Sequence, residues 1–137
     1  MEDKKIDIRE YNIRALAYVG DAVYELYVRK HIMRKSSEQV NKLHKKAIKY
    51  VSAKAQSYVI EQMMDSLEEE LVDIFKRGRN AMANTIPKNT DVITYKISTG
   101  FEAVVGYLYL TDKNERLEKF IQDTFEIIES KETNEVW

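Results

Sequence analysis

The chain has 137 residues, of which 44% are hydrophobic and 33% charged, and its net charge is −1. This length suits a single compact domain that buries roughly two-thirds of its unfolded surface, so we expect one domain over residues 1–137, with a frayed tail at 131–137. The absence of cysteine excludes disulfides, thiolate zinc sites and a cysteine nucleophile. The charged start and the lack of a long apolar run predict a cytoplasmic protein without a signal peptide or membrane span.

The charges are unevenly distributed along the chain. Every charged residue within 39–60 is a lysine, and within 74–100 five bases stand against the single acid Asp91. The acids concentrate in residues 61–73 and 111–137. Such a chain can present a basic face to a polyanion although it is almost neutral overall, whereas the simpler interpretation of a lysine run is a solvated helix surface. Charge alone therefore leaves nucleic-acid binding open.

Helical periodicity dominates the first half of the sequence. Apolar residues recur every three or four positions over 12–34, which predicts the first helix. A capping box of Ser36 and Gln39 predicts a second helix that ends near residue 50. A third helix is expected over 51–64, either bent from the second or fused to it.

A fourth helix and a long polar loop come next. Ser66 and Glu69 form a capping-box pattern that predicts the start of this helix, and Gly78 is placed near its end. The polar segment 79–90 contains the only proline of the chain. A loop of that length in a compact domain is more often functional than idle.

The last two predicted helices each begin at an aspartate. Asp91 is expected to cap the most apolar helix, 92–110, and Asp112 with Glu115 to cap the final one. The predicted fold class is therefore all-α, a bundle of about six or seven helices. The apolar excess of helices 12–34 and 92–110 suggests a dimer surface, although burial in a monomer core is the better explanation for most of these residues.

Two carboxylates stand inside apolar helices. Asp21 lies in Ala-Tyr-Val-Gly-Asp-Ala-Val-Tyr and Glu102 in Gly-Phe-Glu-Ala-Val-Val-Gly. A buried carboxylate is costly unless it is paired, hydrogen-bonded or bound to a metal, and Arg14 and Arg29 are the nearest basic residues to Asp21 on its helix. Small neighbours on both helices permit close approach, so that the two acids can meet and bind Mg²⁺ or Mn²⁺. The alternative is that each acid faces water on the rim of its helix.

Two of these motifs resemble the catalytic domain of ribonuclease III. The string Ala-Leu-Ala-Tyr-Val-Gly-Asp-Ala-Val-Tyr-Glu-Leu (15–26) is similar to the signature helix of that family, and Phe-Glu-Ala-Val-Val-Gly-Tyr-Leu-Tyr-Leu (101–110) is similar to its second acidic helix. Four further strings resemble the Mini-III ribonucleases, which consist of the catalytic domain without an appended double-stranded RNA-binding domain. They are Leu43-His-Lys-Lys, Val51-Ser-Ala-Lys-Ala-Gln, Lys76-Arg-Gly-Arg-Asn-Ala and Pro87-Lys-Asn-Thr-Asp-Val.

The resemblance implies a ribonuclease III-like homodimer that hydrolyses double-stranded RNA with Mg²⁺, for which Mn²⁺ can substitute, and that matures the termini of 23S ribosomal RNA precursor. A ribosomal protein that presents the substrate is a further candidate partner, and no membrane partner is expected. Asp21 and Glu102 match the catalytic, metal-binding acids of the family. Ala17 and Thr99 stand where larger relatives carry acids, which leaves the number of bound metals open. Glu25, one turn after Asp21, either reaches the metal through water or is simply exposed or ion-paired.

Residues expected to bind RNA lie in the basic segments. Gly78 is expected to let the RNA backbone approach closely, and the bases around it to bind phosphates. The candidate RNA-binding residues are Lys76, Arg77, Arg79, Asn80, Lys88, Asn89, Lys45 and Lys46.

Two other functions compete with the nuclease. A catalytically inactive relative that binds structured RNA as a scaffold is suggested by Ala17 and Thr99. A helical protein-interaction module would carry the two acids merely as exposed residues. The intact Asp21 and Glu102 favour the enzyme over the scaffold, and the basic loop favours either RNA function over the module.

Overall fold

A computed structural model of the chain describes residues 10–35, 38–81, 86, 88 and 91–134, with side chains up to Lys131. These residues form six α-helices and one turn of 3₁₀ helix at Met64–Ser66, and they contain no strand. The all-α prediction is confirmed. The helices are α1 (Ile13–Lys35), α2 (Val40–Val51), α3 (Ala53–Met63), α4 (Glu69–Asn80), α5 (Val92–Leu110) and α6 (Asn114–Asn134).

Helix α5 is the centre of the domain. Between residues 100 and 108 every residue is buried except Glu102, which is half-buried. Helices α1, α3, α4 and α6 pack around this segment. The ring of Phe101 meets Tyr24 of α1 edge-on, with 4.9 Å between the ring centroids. Among the described helices, none combines the length and the apolar character that crossing a membrane would require.

Glycines let α1 and α5 touch backbone to backbone. A Cβ atom at Gly20 would overlap the carbonyl oxygen of Glu102, and one at Gly106 would overlap the carbonyl oxygen of Leu16. Only a residue without a side chain fits at such a crossing. The crossing places Asp21, the residue after Gly20, next to the turn of α5 that carries Glu102.

Gly78 also serves packing, which corrects the expectation that it faces RNA. It is buried, and a Cβ atom there would lie 2.9 Å from Cα of Gly100 and 2.9 Å from Cβ of Ala103. The end of α4 therefore presses directly on α5. Helix α4 continues to Asn80, so that Arg79 and Asn80 are helical and are not part of the predicted loop.

Two helix boundaries follow from local capping. Asp91 accepts a hydrogen bond from the backbone N–H of Thr94 at 3.1 Å, which confirms it as the cap of α5. Ser52 has an extended backbone, and its Oγ accepts from the N–H of Ala55 at 3.1 Å. Helix α3 is therefore bent from α2 and not fused to it. The predicted cap Ser36 lies outside the described residues.

The predicted caps at Ser66 and Asp112 are wrong. The Ser66 hydroxyl donates back to the carbonyl of Met63 at 3.1 Å, and α4 begins three residues later, at Glu69. Asp112 has a φ of 56°, and the N–H groups of Asp112 and Lys113 bond to the carbonyls at the end of α5. This is the left-handed turn that commonly closes a helix, so Asp112 terminates α5 and cannot cap α6.

Candidate active site

The α1–α5 crossing borders a cavity of about 230 Å³. The residues of α1 that line the cavity are three or four positions apart, so they lie on one face of that helix. Most of the lining residues of α5 have the same spacing. The last contribution comes from the residue that follows α4. The lining residues are Arg14, Ala17, Tyr18, Asp21, Ala81, Tyr95, Lys96, Thr99 and Glu102.

The two acids singled out in the sequence meet in this cavity. Asp21 is exposed and Glu102 is half-buried. Burial, the negative charge of Asp21 and a hydrogen bond with Asp21 raise the pKa of Glu102 to about 9, although a hydrogen bond with Gln56 acts in the opposite direction. Glu102 therefore carries a proton at neutral pH in the cation-free protein, and it donates this proton toward the Asp21 carboxylate.

Gln56 of α3 supports Glu102 from the core side. Its side chain is only 2% exposed, and its Nε2 atom donates to the carbonyl of Val51 at 3.2 Å. The same side chain is hydrogen-bonded to Glu102. Gln56 was not selected as a site residue from the sequence. A signal was present, because a long amide side chain between the core residues Ala55 and Val59 needs a polar partner when it is buried.

The donor set fits a hard divalent cation. Burial and the neighbouring Asp21 carboxylate raise the pKa of Glu102, so a cation between the two carboxyl groups would stabilise the pair. Oxygen donors of this kind suit Mg²⁺ or Mn²⁺. Within the described part of the chain, no group of three or more histidine, aspartate or glutamate side chains is placed to hold a metal. Asp21 and Glu102 are thus the carboxyl groups that line the described cavity, and water and phosphate oxygens would complete the coordination of a cation held there.

The two positions at which larger relatives carry acids line the same cavity. Ala17 offers no donor atom, and the hydroxyl of Thr99 donates within α5 to the carbonyl of Tyr95 at 3.0 Å. Glu25 lies outside the cavity and pairs with Arg29 at 2.6 Å. Arg29 is thus no partner of Asp21.

The predicted RNA-binding residues of α4 lead to the rim of the cavity. Lys76, Arg77 and Asn80 are exposed in its last turns, and the next residue, Ala81, lines the cavity. The guanidinium of Arg79 lies over the ring of Phe75, 5.6 Å from the centroid, and its Nε donates to Asn80 at 3.2 Å.

The other predicted RNA-binding residues are not gathered at the cavity. Helix α2 contributes no lining residue; Lys45 is exposed on it, and Lys46 pairs with Glu38 at 2.8 Å. Lys88 is exposed, and Asn89 lies outside the described residues.

Arg14 and Lys96 are cavity residues that sequence reasoning did not select for RNA binding. Arg14 stands seven residues before Asp21 on α1, and Lys96 six residues before Glu102 on α5. Their spacing from the two acids, close to two helical turns, is the signal that could have identified them.

Comparison with known proteins identifies the family of the chain. Residues 14–113 match the Ribonuclease III domain family. The Mini-ribonuclease 3 of Clostridium tetani is 46% identical over 135 residues, covering 98% of this chain and 89% of the relative. That of Streptococcus pneumoniae is 51% identical over 118 residues, covering 85% and 92%.

A solved structure shows the same architecture. A crystal structure of a protein from Fusobacterium nucleatum superimposes with a TM-score of 0.80 at 34% identity, covering 89% of this chain and 98% of that one. The family match extends from Arg14 to Lys113 and so includes both cavity helices. The chain therefore belongs to the ribonuclease III family, and within it to the Mini-III ribonucleases.

Proposed function

We propose that this endoribonuclease hydrolyses double-stranded RNA at the α1–α5 cavity with Mg²⁺, for which Mn²⁺ can substitute. The observation that carries the proposal is the adjoining carboxyl pair of Asp21 and Glu102 at a glycine-mediated helix crossing. Its proposed substrate is a stem of 23S ribosomal RNA precursor, which would place the protein in the cytoplasm, with a ribosomal protein as a candidate presenting partner.

The carboxyl pair holds the cation in this scheme. Glu102 gives up its proton when the cation binds, because a nearby double positive charge favours the carboxylate form. Gln56 keeps the carboxyl group of Glu102 in place from the core side. When bound between Asp21 and Glu102, Mg²⁺ would supply a lowered pKa for its water and would neutralise charge on the phosphate, so the chain would need no histidine base.

Recognition of the RNA depends on its backbone. The bases of a double-stranded A-form helix lie in a groove too narrow for side chains, so phosphates, 2′-hydroxyls and overall shape are what a protein reads. Exposed Lys76, Arg77 and Asn80 at the end of α4 are suited to phosphate contacts beside the cavity. We expect affinity to fall steeply with salt, because each neutralised phosphate releases counterions.

We also propose that the protein acts as a homodimer. Helix α1 exposes an apolar stripe of Tyr18, Leu26 and Met33, which are 80%, 69% and 66% exposed. Leu26 and Tyr109 of α5 line a shallow groove of about 350 Å³, which Val23 also borders. A two-fold axis through such a self-complementary face would give a dimer with two cavities, one for each strand of the duplex.

The test is cleavage of a duplex RNA in Mg²⁺ by the native protein and by Asp21→Asn and Glu102→Gln. We expect each substitution to slow cleavage by about 100-fold or more. Mutation of a group that only supports a metal ligand already lowers metal affinity or activity by about 10–100-fold. Asp73→Asn, which removes an exposed acid of α4 outside the cavity, is the control and should cut normally. A native protein that binds the duplex but cuts it with neither Mg²⁺ nor Mn²⁺ would be a scaffold.

A further inference from the structure

Two exposed bases share the cavity with the carboxyl pair. Arg14 of α1 and Lys96 of α5 line it together with Asp21 and Glu102. Neither basic side chain has an ion-pair or hydrogen-bond partner within the described residues. Both side chains are therefore available to an anion that enters the cavity.

Helix stability does not explain the position of these bases. Arg14 is the second residue of α1, and Lys96 lies in the second turn of α5. The N-terminus of a helix carries partial positive charge, so a base there is electrostatically unfavourable. Arg14 therefore lies where the dipole of α1 disfavours a base, which points to a role toward a ligand.

The charge balance of the cavity favours an anionic ligand. Once the two carboxylates neutralise a bound divalent cation, Arg14 and Lys96 remain as net positive charge on the cavity wall. Arg14 stands seven residues from Asp21, ~10 Å along the helix axis, and Lys96 stands ~9 Å from Glu102. Successive phosphates of one strand in duplex DNA follow at about 3.4 Å along the axis, which sets the order of magnitude for a duplex RNA strand. The spacing between each base and the acid on its helix therefore corresponds to about three phosphates, so both bases can contact the strand a few nucleotides from the phosphate held at the acids.

We propose that Arg14 and Lys96 form a phosphate clamp that holds the RNA strand being cut, with one contact from each of the two helices that carry the carboxyl pair. This inference rests on the proposed function, because it takes the cavity as the site of cleavage. The guanidinium of Arg14 can bind a phosphate through two N–H groups, and the Lys96 ammonium acts as a compact point charge. Ala17 and Thr99 leave the wall between the clamp and the acids uncharged.

The first experiment measures binding without catalysis. Affinity for a duplex RNA is followed by fluorescence anisotropy over a range of KCl concentrations in EDTA, for native protein, Arg14→Gln and Lys96→Gln. Each substitution should weaken binding about 10-fold and reduce the slope of log affinity against log salt by about 1. Lys119→Gln removes an exposed base of α6 outside the cavity and should leave the slope unchanged.

The second experiment separates the clamp from metal binding. In cleavage assays with Mg²⁺, Arg14→Gln and Lys96→Gln should raise KM for RNA and leave the half-saturating Mg²⁺ concentration unchanged, and Lys96→Arg should restore KM. The clamp would be overturned if both variants kept the native slope of log affinity against log salt. It would also be overturned if the substitutions changed the half-saturating Mg²⁺ concentration and left the KM for RNA unchanged. Native protein that fails to cut RNA would overturn the proposed function itself. Both residues are exposed, so thermal unfolding should stay native-like and exclude misfolding as a cause.

Discussion

Glu102 is held in surroundings that disfavour its charge. Burial and the neighbouring Asp21 raise the pKa of this carboxyl group from 4.5 to about 9. Between pH 4.5 and pH 9 this carboxyl group is ionised in the unfolded chain and protonated in the folded chain. Folding must therefore take up a proton, and the free-energy cost of doing so rises with pH. The stability contribution of Glu102 is therefore complete below pH 4.5 and declines as the pH rises toward 9.

We predict that Glu102→Gln makes the cation-free protein more stable at pH 8. Glutamine has a similar shape and no proton to lose, so the free energy of unfolding should increase by about 1–3 kcal/mol. Urea denaturation in EDTA at pH 8 and pH 5 measures the change, and the gain should nearly vanish at pH 5. An equal effect at both pH values would show that packing, and not ionisation, sets the difference.

At the scale of helices, all four glycines of the chain lie where another helix contacts α5, two of them in α5 itself. Gly20 and Gly106 meet at the α1 crossing, and Gly78 and Gly100 meet where α4 packs on α5. Glycine inside a helix costs about 1 kcal/mol relative to alanine, so each of these contacts has to offset a local loss. The same crossing that stabilises the bundle aligns Asp21 with Glu102.

We predict that Gly106→Ala destabilises the protein although alanine is the better helix former. The added methyl group would overlap the carbonyl oxygen of Leu16 and push α1 away from α5. Overpacking of this kind costs about 1–3 kcal/mol, more than the gain in helix propensity. Chemical denaturation checks the loss of stability, and duplex cleavage should fall as well. A more stable variant would show that the two backbones do not touch.

Three helices are joined at the opposite end of α1 by the carboxylate of Glu129 on α6. It accepts a hydrogen bond from the Tyr50 hydroxyl at 2.8 Å and from the Lys35 ammonium at 2.6 Å, and it bonds to His31 Nε2 at 2.9 Å. Partial burial acts to raise the pKa of Glu129, but the hydrogen bonds from His31, Lys35 and Tyr50 outweigh it and lower the pKa to about 2.

We predict an acid-sensitive contribution from this cluster. A carboxyl group whose pKa is lowered on folding stabilises the folded state above its unfolded pKa of 4.5, and this stabilisation disappears as the pH falls toward 2. Glu129→Gln should cost about 1–2 kcal/mol at pH 6, allowing for the partial exposure of the side chain, and much less at pH 3. Paired urea titrations at these pH values provide the test; a pH-independent cost would contradict it.

At the scale of the whole molecule, the apolar stripe on α1 sets the proposed assembly. Leu26 is 69% exposed and borders the groove with Tyr109. We predict that Leu26→Glu converts a dimer into a monomer, because it places two charges in the apolar centre of a symmetric contact. Analytical ultracentrifugation measures the mass, with Val40→Glu as a control at an even more exposed apolar site outside the stripe. A native protein that sediments as a monomer would refute the dimer.

Local sequence was sufficient for most of the fold. The apolar periodicity over 12–34 predicted α1 to within one residue at each end, and Asp91 was correctly assigned as the cap of α5. Both are interactions between neighbours in the chain. The caps at Ser66 and Asp112 were wrong because both residues take part in ending the preceding helix: the Ser66 hydroxyl bonds back to Met63, and Asp112 has the positive φ of a helix-ending turn.

The sequence by itself determined the fold class, the family and the two unusual acids, because periodicity, motifs and a carboxylate among apolar residues can all be read within a few turns. The tertiary structure alone brought Gln56, Arg14 and Lys96 to the same site. These residues come from three helices, and their meeting depends on how closely α1 and α5 approach at Gly20 and Gly106. The distance between the backbones of α1 and α5 depends on how the two helices pack, so it cannot be read from any single stretch of the sequence.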